Sequence, residues 1–280
     1  MKFPVAPRER IAVTTWPFRM YMESPTNRWR NPKLPGMALK DFPAMVVEKF
    51  GLHHVELLSY HFPSTERSYL RELRAAVEKA GSHIVNIPVG GEASFYDPFA
   101  VKRQEAVDYG KKWIDVAGAV GSPSVRLHIA GVKGVAPDAG RAAESLKRVA
   151  AYGAERNIMV TLENDDLVTE DAFFVVRVID KVGNPYLRAL PDFANSMLSG
   201  NAAFNYDALT LMFRHAYNIS HMKDSEVGDG DKLYTVNVAR IFKIAKAANY
   251  RGYYSLEWEG RGGPYQGVSK LLAETLRYLT

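Results

Sequence analysis

Short apolar runs alternate along the whole chain with longer segments in which apolar residues recur at helical spacing. The runs are rich in β-branched residues, as buried strands are. They predict strands at residues 11–15, 54–58, 84–87, 125–129, 159–162, 187–190, 219–222 and 253–256. The segments that follow predict helices at 38–50, 64–81, 97–121, 136–156, 169–182, 205–214, 238–248 and 268–279. Strands and helices therefore alternate in strict order.

Residues typical of helix ends mark several of these boundaries. Gly51, Gly81 and Gly121 each mark the end of a helical pattern, where glycine is favoured. Ser64 is predicted to cap the second helix, and Asp97 together with the following proline is predicted to begin the third.

Alternating strands and helices predict a parallel sheet, because each return to the same sheet edge requires a crossover. Eight repeats can close such a sheet into a barrel, and the 280 residues fit the length of about 250 that is usual for this fold. The turn after the first strand reads TTWPFR and lacks the glycines of a phosphate-binding turn, which disfavours an open doubly wound sheet. We predict one α/β domain over residues 1–280, a (β/α)₈ TIM barrel.

Composition narrows the possible chemistry. The absence of cysteine excludes disulfides, thiolate zinc sites and cysteine nucleophiles, so a metal would need oxygen and imidazole ligands. The net charge of +5 is spread along the chain without a basic run, so no nucleic-acid partner is expected. No apolar stretch approaches the ~20 residues of a membrane span, so no membrane partner is expected either. A cytoplasmic protein is the expectation, and an exported form whose leader has been removed is left open.

Polar side chains gather where four consecutive predicted strands end. They are Glu163, Asp192, His221 and Glu257, which are separated by 29, 29 and 36 residues, or about one repeat each. Catalytic groups of a (β/α)₈ barrel lie at this end of its strands. A single carboxylate there is often a helix cap or half of an ion pair, but three converging acids would repel one another without a cation. The pattern predicts one divalent metal ion bound by these four residues.

These strand ends resemble those of the xylose isomerase-like TIM barrels, the sugar phosphate isomerase/epimerase superfamily, over essentially the whole chain. The resemblance is carried by the glutamate of LEN (Glu163), the aspartate after strand six (Asp192), the histidine of HMKD (His221) and the first glutamate of EWEG (Glu257). It implies a site for one Mn²⁺, Mg²⁺, Co²⁺ or Zn²⁺ ion, in which the two glutamates also form the acid/base pair.

The sequence departs from many members of this family at two places. Asn195 stands where many relatives have a histidine three residues after the strand-six aspartate, and Asn164 and Asp165 follow Glu163 where many have another histidine. Both changes remove imidazole from the site. They argue against the three-zinc cluster of the endonuclease IV type.

The pattern and the resemblance together predict a metal-dependent isomerase or epimerase that acts on a sugar or polyol-derived ketone through an enediolate. Glu163 and Glu257 would move the proton beside the carbonyl, and Lys223 would stabilise the developing negative charge. A lyase or dehydratase acting on a keto-sugar, inosose or keto-glycoside is the alternative, because it shares the first step. A DNA-repair endonuclease is a weaker alternative.

Residues near the other strand ends are predicted to contact the substrate. These are His128, His61, Trp16, Asn164 and Arg19. Each could instead be a packed structural residue. The expected partner is a small-molecule carbohydrate, and a homo-oligomer is left open.

Overall fold

A parallel sheet of eight strands forms the centre of the computed structural model, which describes residues 3–91 and 93–280. The strands of the described chain are β1 (Ile11–Thr14), β2 (His54–Glu56), β3 (His83–Val89), β4 (Ser124–Leu127), β5 (Met159–Glu163), β6 (Leu187–Leu190), β7 (Ile219–Met222), β8 (Ser225–Gly228), β9 (Lys232–Thr235) and β10 (Tyr253–Leu256). Eight of them pair in parallel in the order β6-β5-β4-β3-β2-β1-β10-β7. The predicted (β/α)₈ barrel is confirmed.

Eight α-helices of the described residues surround the sheet. They are α1 (Phe42–Phe50), α2 (Arg67–Lys79), α3 (Ala100–Val120), α4 (Ala139–Arg156), α5 (Ala172–Val182), α6 (Ala202–His215), α7 (Val238–Ala247) and α8 (Pro264–Leu279). Each buries an apolar face, as α7 does with Val238, Ile241 and Phe242. Gly51 and Gly121 end α1 and α3 with φ of 60° and 81°, a conformation that glycine adopts without steric cost. No helix of the described chain combines the length and the apolar character that a membrane span requires.

Two predicted helix starts were wrong. The helix α2 begins three residues after Ser64, whose hydroxyl instead accepts a hydrogen bond of 3.0 Å from the backbone N–H of Glu66. The helix α3 begins three residues after Asp97, whose carboxylate accepts a hydrogen bond of 2.8 Å from the N–H of Phe99. In both cases the side chain closes a local turn that precedes the helix, a conformation that competes with capping.

Strands β8 and β9 form an antiparallel hairpin that the sequence pattern did not predict. The hairpin pairs Ser225 with Thr235 and Gly228 with Lys232, and lies between β7 and α7. It stands outside the barrel sheet, immediately after one of the strand ends expected to carry chemistry. It therefore adds residues to the rim that the simple alternation does not provide.

The barrel is nearly closed, and its join lies between β6 and β7. Only isolated bridges connect these two strands in the described chain, at Ala189 with Ala216 and at Asp192 with His221. At the second bridge the N–H of His221 donates to Pro191 O at 3.0 Å, and the N–H of Phe193 donates to His221 O at 3.2 Å. The two ends of the sheet thus meet at Asp192 and His221.

The interior of the barrel contains both apolar and polar side chains. Ala12, Val85, Leu190 and Ile219 form a small buried cluster of their own, separate from the large core between the sheet and the helices. A further set of buried polar side chains is connected by hydrogen bonds across the interior, and comprises Glu56, Asn86, Ser124, Asn218, His221 and Ser255. Buried polar groups require such partners, and this network supports the rim from beneath.

Candidate metal centre

The carboxyl ends of β5, β6, β7 and β10 bring four ligand-type side chains together. Glu163, Asp192, His221 and Glu257 each offer an oxygen or ring nitrogen that lies within 4.8 Å of the other three. All four residues are buried. Because the strands are parallel and adjacent, their ends reach the same rim, which is how residues so far apart in sequence converge.

His221 lies at the centre of this group. Its Nδ1 is 2.8 Å from Glu163 Oε1, 3.4 Å from Glu257 Oε2 and 3.9 Å from Asp192 Oδ2. Burial alone would lower the pKa of this histidine, but Glu163, Glu257 and the other nearby carboxylates hold the pKa well above its usual value. The three distances show that Nδ1 is the ring nitrogen that faces the cluster.

Asp192 is held so that one carboxylate oxygen points into the cluster. Its Oδ1 accepts hydrogen bonds from the N–H groups of Ala194 at 2.8 Å and Asn195 at 2.7 Å. Among the described residues, no donor forms a hydrogen bond to Oδ2, which is buried. Burial raises the pKa of Asp192 well above its usual value. A buried carboxylate oxygen without a donor is costly, and a cation would satisfy it.

Asn164 fixes the backbone at this strand end. Its Oδ1 accepts from the N–H of Asp192 at 2.8 Å, and its Nδ2 donates to Asp192 O at 3.1 Å and to Ser196 Oγ at 3.2 Å. The side chain is buried. The predicted contact of Asn164 with a substrate remains a prediction, and the observed contacts are those of a residue that positions Asp192.

Lys223 is buried among carboxylates. Its Nζ is 2.8 Å from Glu226, 3.2 Å from Glu257 and 3.6 Å from both Asp192 and Glu259, and it donates to Asn195 Oδ1 at 2.9 Å. Burial alone would lower the pKa of Lys223, but the surrounding carboxylates hold the pKa well above its usual value. The ammonium is thus a fixed positive charge beside the cluster. Glu226, which belongs to β8, was missed with the hairpin itself.

Arg126 supplies a second fixed positive charge that sequence reasoning missed. It lies on β4, and its Nε is 2.8 Å from Glu163 Oε2 in a buried ion pair. Burial alone would raise the pKa of Glu163, but His221 and Arg126 hold the pKa below its usual range. An arginine in the middle of an otherwise apolar strand was the available signal, since arginine is almost never fully buried unless it is paired.

His128 belongs to a second polar group on the same rim. Its Nδ1 is 2.7 Å from Glu170 Oε2 and 3.5 Å from Asp165 Oδ2, and the N–H of Ile129 donates to Glu170 Oε1 at 2.6 Å. The other ring nitrogen of His128 contacts the guanidinium of Arg126. These contacts connect His128 to Glu163 through a single arginine.

A cavity of about 540 Å³ opens above the cluster, within the range of small-molecule sites. Four charged or polar side chains line it, namely Glu257, Lys223, Arg126 and His128, together with three aromatic rings. These are Trp16, Trp29 and Tyr60, whose neighbouring ring centroids are 5.0 and 5.3 Å apart. Glu163, Asp192 and His221 are not part of the lining formed by the described residues. The cavity thus has an aromatic wall and a charged floor.

The remaining predicted contact residues lie at different depths. Trp16 lines the cavity, and its Nε1 donates to Glu259. Arg19 stacks on the ring of Trp16 at 4.2 Å and is not among the lining residues of the described chain. His61 is fully buried with its Nδ1 2.9 Å from Thr15 Oγ1. The substrate contacts predicted for these three residues remain predictions.

His61 should make the fold sensitive to acid. Burial, and to a smaller extent Arg19, lower its pKa to about 3 in the folded protein, against about 6.5 when unfolded. Below about pH 6.5, His61 takes up a proton in the unfolded chain but stays neutral in the folded chain. The free energy of unfolding therefore falls as the pH falls. Urea unfolding at pH 7.5 and pH 5 should show that His61→Gln reduces this loss by about 2 kcal/mol. Equal losses in the wild type and the variant would contradict this expectation.

Comparison with known proteins gives a family match and several matches of fold. A family profile described as xylose isomerase-like TIM barrel matches residues 45–280. No curated protein sequence matches the chain. A xylose isomerase-like TIM barrel protein from Mycobacterium smegmatis, solved in complex with magnesium, superimposes with a TM-score of 0.70 at 18% identity, covering 97% of this chain and 96% of its own.

Two solved epimerases share the fold as well. D-allulose 3-epimerase from Methylomonas sp. has a TM-score of 0.73 at 12% identity, with 99% of this chain and 100% of its own covered. The 3-keto-D-glucoside 4-epimerase from E. coli has a TM-score of 0.66 at 15% identity, with 96% of this chain and 98% of its own covered. At these identities the likeness concerns the fold.

Proposed function

The chain belongs to the xylose isomerase-like TIM barrel family, and on that premise we propose that it is a metal-dependent isomerase or epimerase of a sugar or polyol-derived ketone. The observation that carries the proposal is the convergence of Glu163, Asp192, His221 and Glu257 within 4.8 Å beside a cavity. Solved proteins of the same fold that are named D-allulose, L-ribulose and 3-keto-D-glucoside epimerases support the substrate class.

The four residues fit a divalent cation. Three carboxylates and one imidazole are ligands suited to Mg²⁺, Mn²⁺, Co²⁺ or Zn²⁺. Asp192 Oδ2, which accepts no hydrogen bond from the described residues, lies 3.9 Å from Nδ1 of His221. The magnesium in the mycobacterial relative is consistent with this choice of ion. A bound cation would polarise the carbonyl of a substrate and stabilise negative charge on its oxygen.

The chain's own residues would carry the proton transfer. Removing a proton from the carbon beside a carbonyl requires a positioned base, and returning it to the other face requires an acid. Glu163 and Glu257 come from different strands, β5 and the end of β10, so they can approach a substrate from different sides. Lys223, 3.2 Å from Glu257, would hold that carboxylate in place and add positive charge near the developing anion.

Asp192→Ala should abolish stoichiometric metal binding, because it removes the oxygen that points into the cluster. Wild-type protein equilibrated with Mn²⁺ and then desalted should retain about one ion per chain, and the variant should retain almost none, because alanine offers no ligand atom at this position. Metal content would be measured by mass spectrometry. The matched control is Asp115→Ala, which removes a surface carboxylate paired with Arg156 and should bind as the wild type does.

Wild-type protein that retains no Mn²⁺, Co²⁺, Mg²⁺ or Zn²⁺ would overturn the proposal. If metal is bound, proton NMR in D₂O with a panel of ketoses and 3-keto-glucosides tests the reaction. Isomerisation or epimerisation should place deuterium on carbon without loss of water, whereas elimination would give an unsaturated product.

A further inference from the structure

We infer that Glu56 is a positioning residue that fixes the ring of His221 so that Nδ1 is the nitrogen offered to the metal. The inference rests on the proposed function, because it assigns a role toward the proposed cation. Glu56 is the last residue of β2, which is separated from β7 by β1 and β10 in the sheet. It is absent from the set of residues that converge as candidate ligands.

The contact between the two side chains is direct and buried. His221 Nε2 is 3.1 Å from Glu56 Oε1 and 3.1 Å from Glu56 Oε2, and both residues are fully buried. An ionised carboxylate can only accept hydrogen bonds, so Nε2 must carry a proton. By the same rule Nδ1 donates to Glu163 Oε1 at 2.8 Å in the metal-free structure. A cation bound at Nδ1 would displace that proton, whereas Nε2 would keep its proton because Glu56 accepts it. The ring would then offer the lone pair of Nδ1, the nitrogen that faces Glu163, Glu257 and Asp192, to the cation.

Other contacts keep Glu56 ionised and immobile. Asn86 Nδ2 donates to Oε1 at 2.7 Å, and Ser255 Oγ donates to Oε2 at 2.6 Å. These donors come from β3 and β10, so the carboxylate is held from two strands. A buried carboxylate without such partners would be strongly destabilising. Glu56 therefore accepts hydrogen bonds from three directions, one of which is the histidine.

The arrangement matches a general requirement of metal sites. A histidine that binds a metal through one nitrogen usually donates the other N–H to a carboxylate or carbonyl, and replacing that partner typically weakens metal binding 10–100-fold. Without Glu56, the proton of His221 could move to Nδ1, where it would block the lone pair. Replacing Glu56 is thus expected to weaken metal binding in addition to any loss of stability.

The test is calorimetric titration of the metal-free full chain with Mn²⁺. Glu56→Gln should raise the dissociation constant at least about 10-fold relative to the wild type. The control is Ser124→Ala, which alters the same buried network through Asn86 and Asn218 but touches neither Glu56 nor His221. Ser124→Ala should lose thermal stability and bind Mn²⁺ as the wild type does, because a purely structural defect leaves the ring of His221 in place.

The outcomes separate this inference from the proposed function. A wild type that binds Mn²⁺, together with a folded Glu56→Gln that binds within twofold of it, would overturn the inference and leave the proposed function standing. A wild type that binds no divalent cation would overturn both. A loss of affinity in Ser124→Ala as large as that in Glu56→Gln would also overturn the inference, because the effect would then belong to the network as a whole.

A second measurement requires no variant and covers the case in which Glu56→Gln does not fold. Wild-type protein labelled with ¹⁵N-histidine and loaded with Zn²⁺ gives a long-range ¹H–¹⁵N spectrum that identifies the protonated nitrogen of each ring. Addition of Zn²⁺ should leave His221 protonated on Nε2 and shift the resonance of its Nδ1. A ring that binds Zn²⁺ through Nε2 would overturn the inference.

Discussion

Glu257→Gln should lower the rate of deuterium exchange at substrate carbon by about 10²–10⁴-fold, the range lost when a general acid or base is removed. The amide keeps an oxygen that can face a cation, but it cannot accept the proton. The exchange would be followed by NMR in D₂O with the best substrate found for the wild type. Metal content, measured on the same sample, should stay close to the wild-type value, so that loss of proton transfer is separated from loss of metal.

The matched control is Glu144→Gln, which makes the same chemical change on the exposed surface of α4. It should leave the exchange rate unchanged. If Glu257→Gln retained both its metal and full exchange, Glu257 would not be the proton carrier, and Glu163 would have to act with another group. If Glu257→Gln lost its metal, Glu257 would be first of all a ligand.

Lys223→Met should destabilise the metal-free protein by about 3–5 kcal/mol, the usual cost of removing one partner from a buried ion pair. Lys223 is only 3% exposed, and its ammonium lies within 3.6 Å of the carboxylates of Asp192, Glu226, Glu257 and Glu259. Without it, these buried acids would repel one another. Thermal unfolding should show a midpoint lowered by roughly 10 °C for a domain of this size.

Lys270→Met is the matched control for that prediction. Lys270 forms an ion pair of 2.6 Å with Asp224, but its side chain is 69% exposed. Exposed pairs contribute about 0–1 kcal/mol, so this variant should unfold within a few degrees of the wild type. Equal effects of the two substitutions would mean that burial does not decide the contribution of Lys223.

The barrel could be predicted from the sequence because its signal is repeated and local. Strands β6, β7 and β10 begin and end where the apolar runs do, and the four proposed ligands lie in the last residues of predicted strands or just after them. A parallel barrel also fixes which ends of the strands meet, so positions along the chain translate directly into proximity. The convergence of Glu163, Asp192, His221 and Glu257 thus followed from the fold class alone.

The parts that were missed depend on contacts between distant segments. The predicted strands, 54–58 and 125–129, ran past the observed ends of β2 and β4 and so did not place Glu56 or Arg126 at a strand end, where the search was made. Their charge in apolar surroundings was the local signal, but their partners, His221 and Glu163, are known only from the structure. The hairpin of β8 and β9 was missed because neither strand shows a buried alternation: β8 begins with two buried polar residues, and β9 is largely exposed.

The join between β6 and β7 would couple the release of a bound cation to the opening of the barrel. Asp192 lies at one end of the sheet and His221 at the other, and the two strands are connected there by only a few backbone hydrogen bonds. A cation held by both side chains would clasp the two ends of the sheet together. A fluctuation that separates β6 from β7 would break the contacts of the ion with one of these two ligands. A bound ion would therefore make this opening rarer, and a tighter-bound ion would make it rarer still. The rate of amide-hydrogen exchange at Phe193 and His221 and the rate at which the ion dissociates would then both report the separation of β6 from β7.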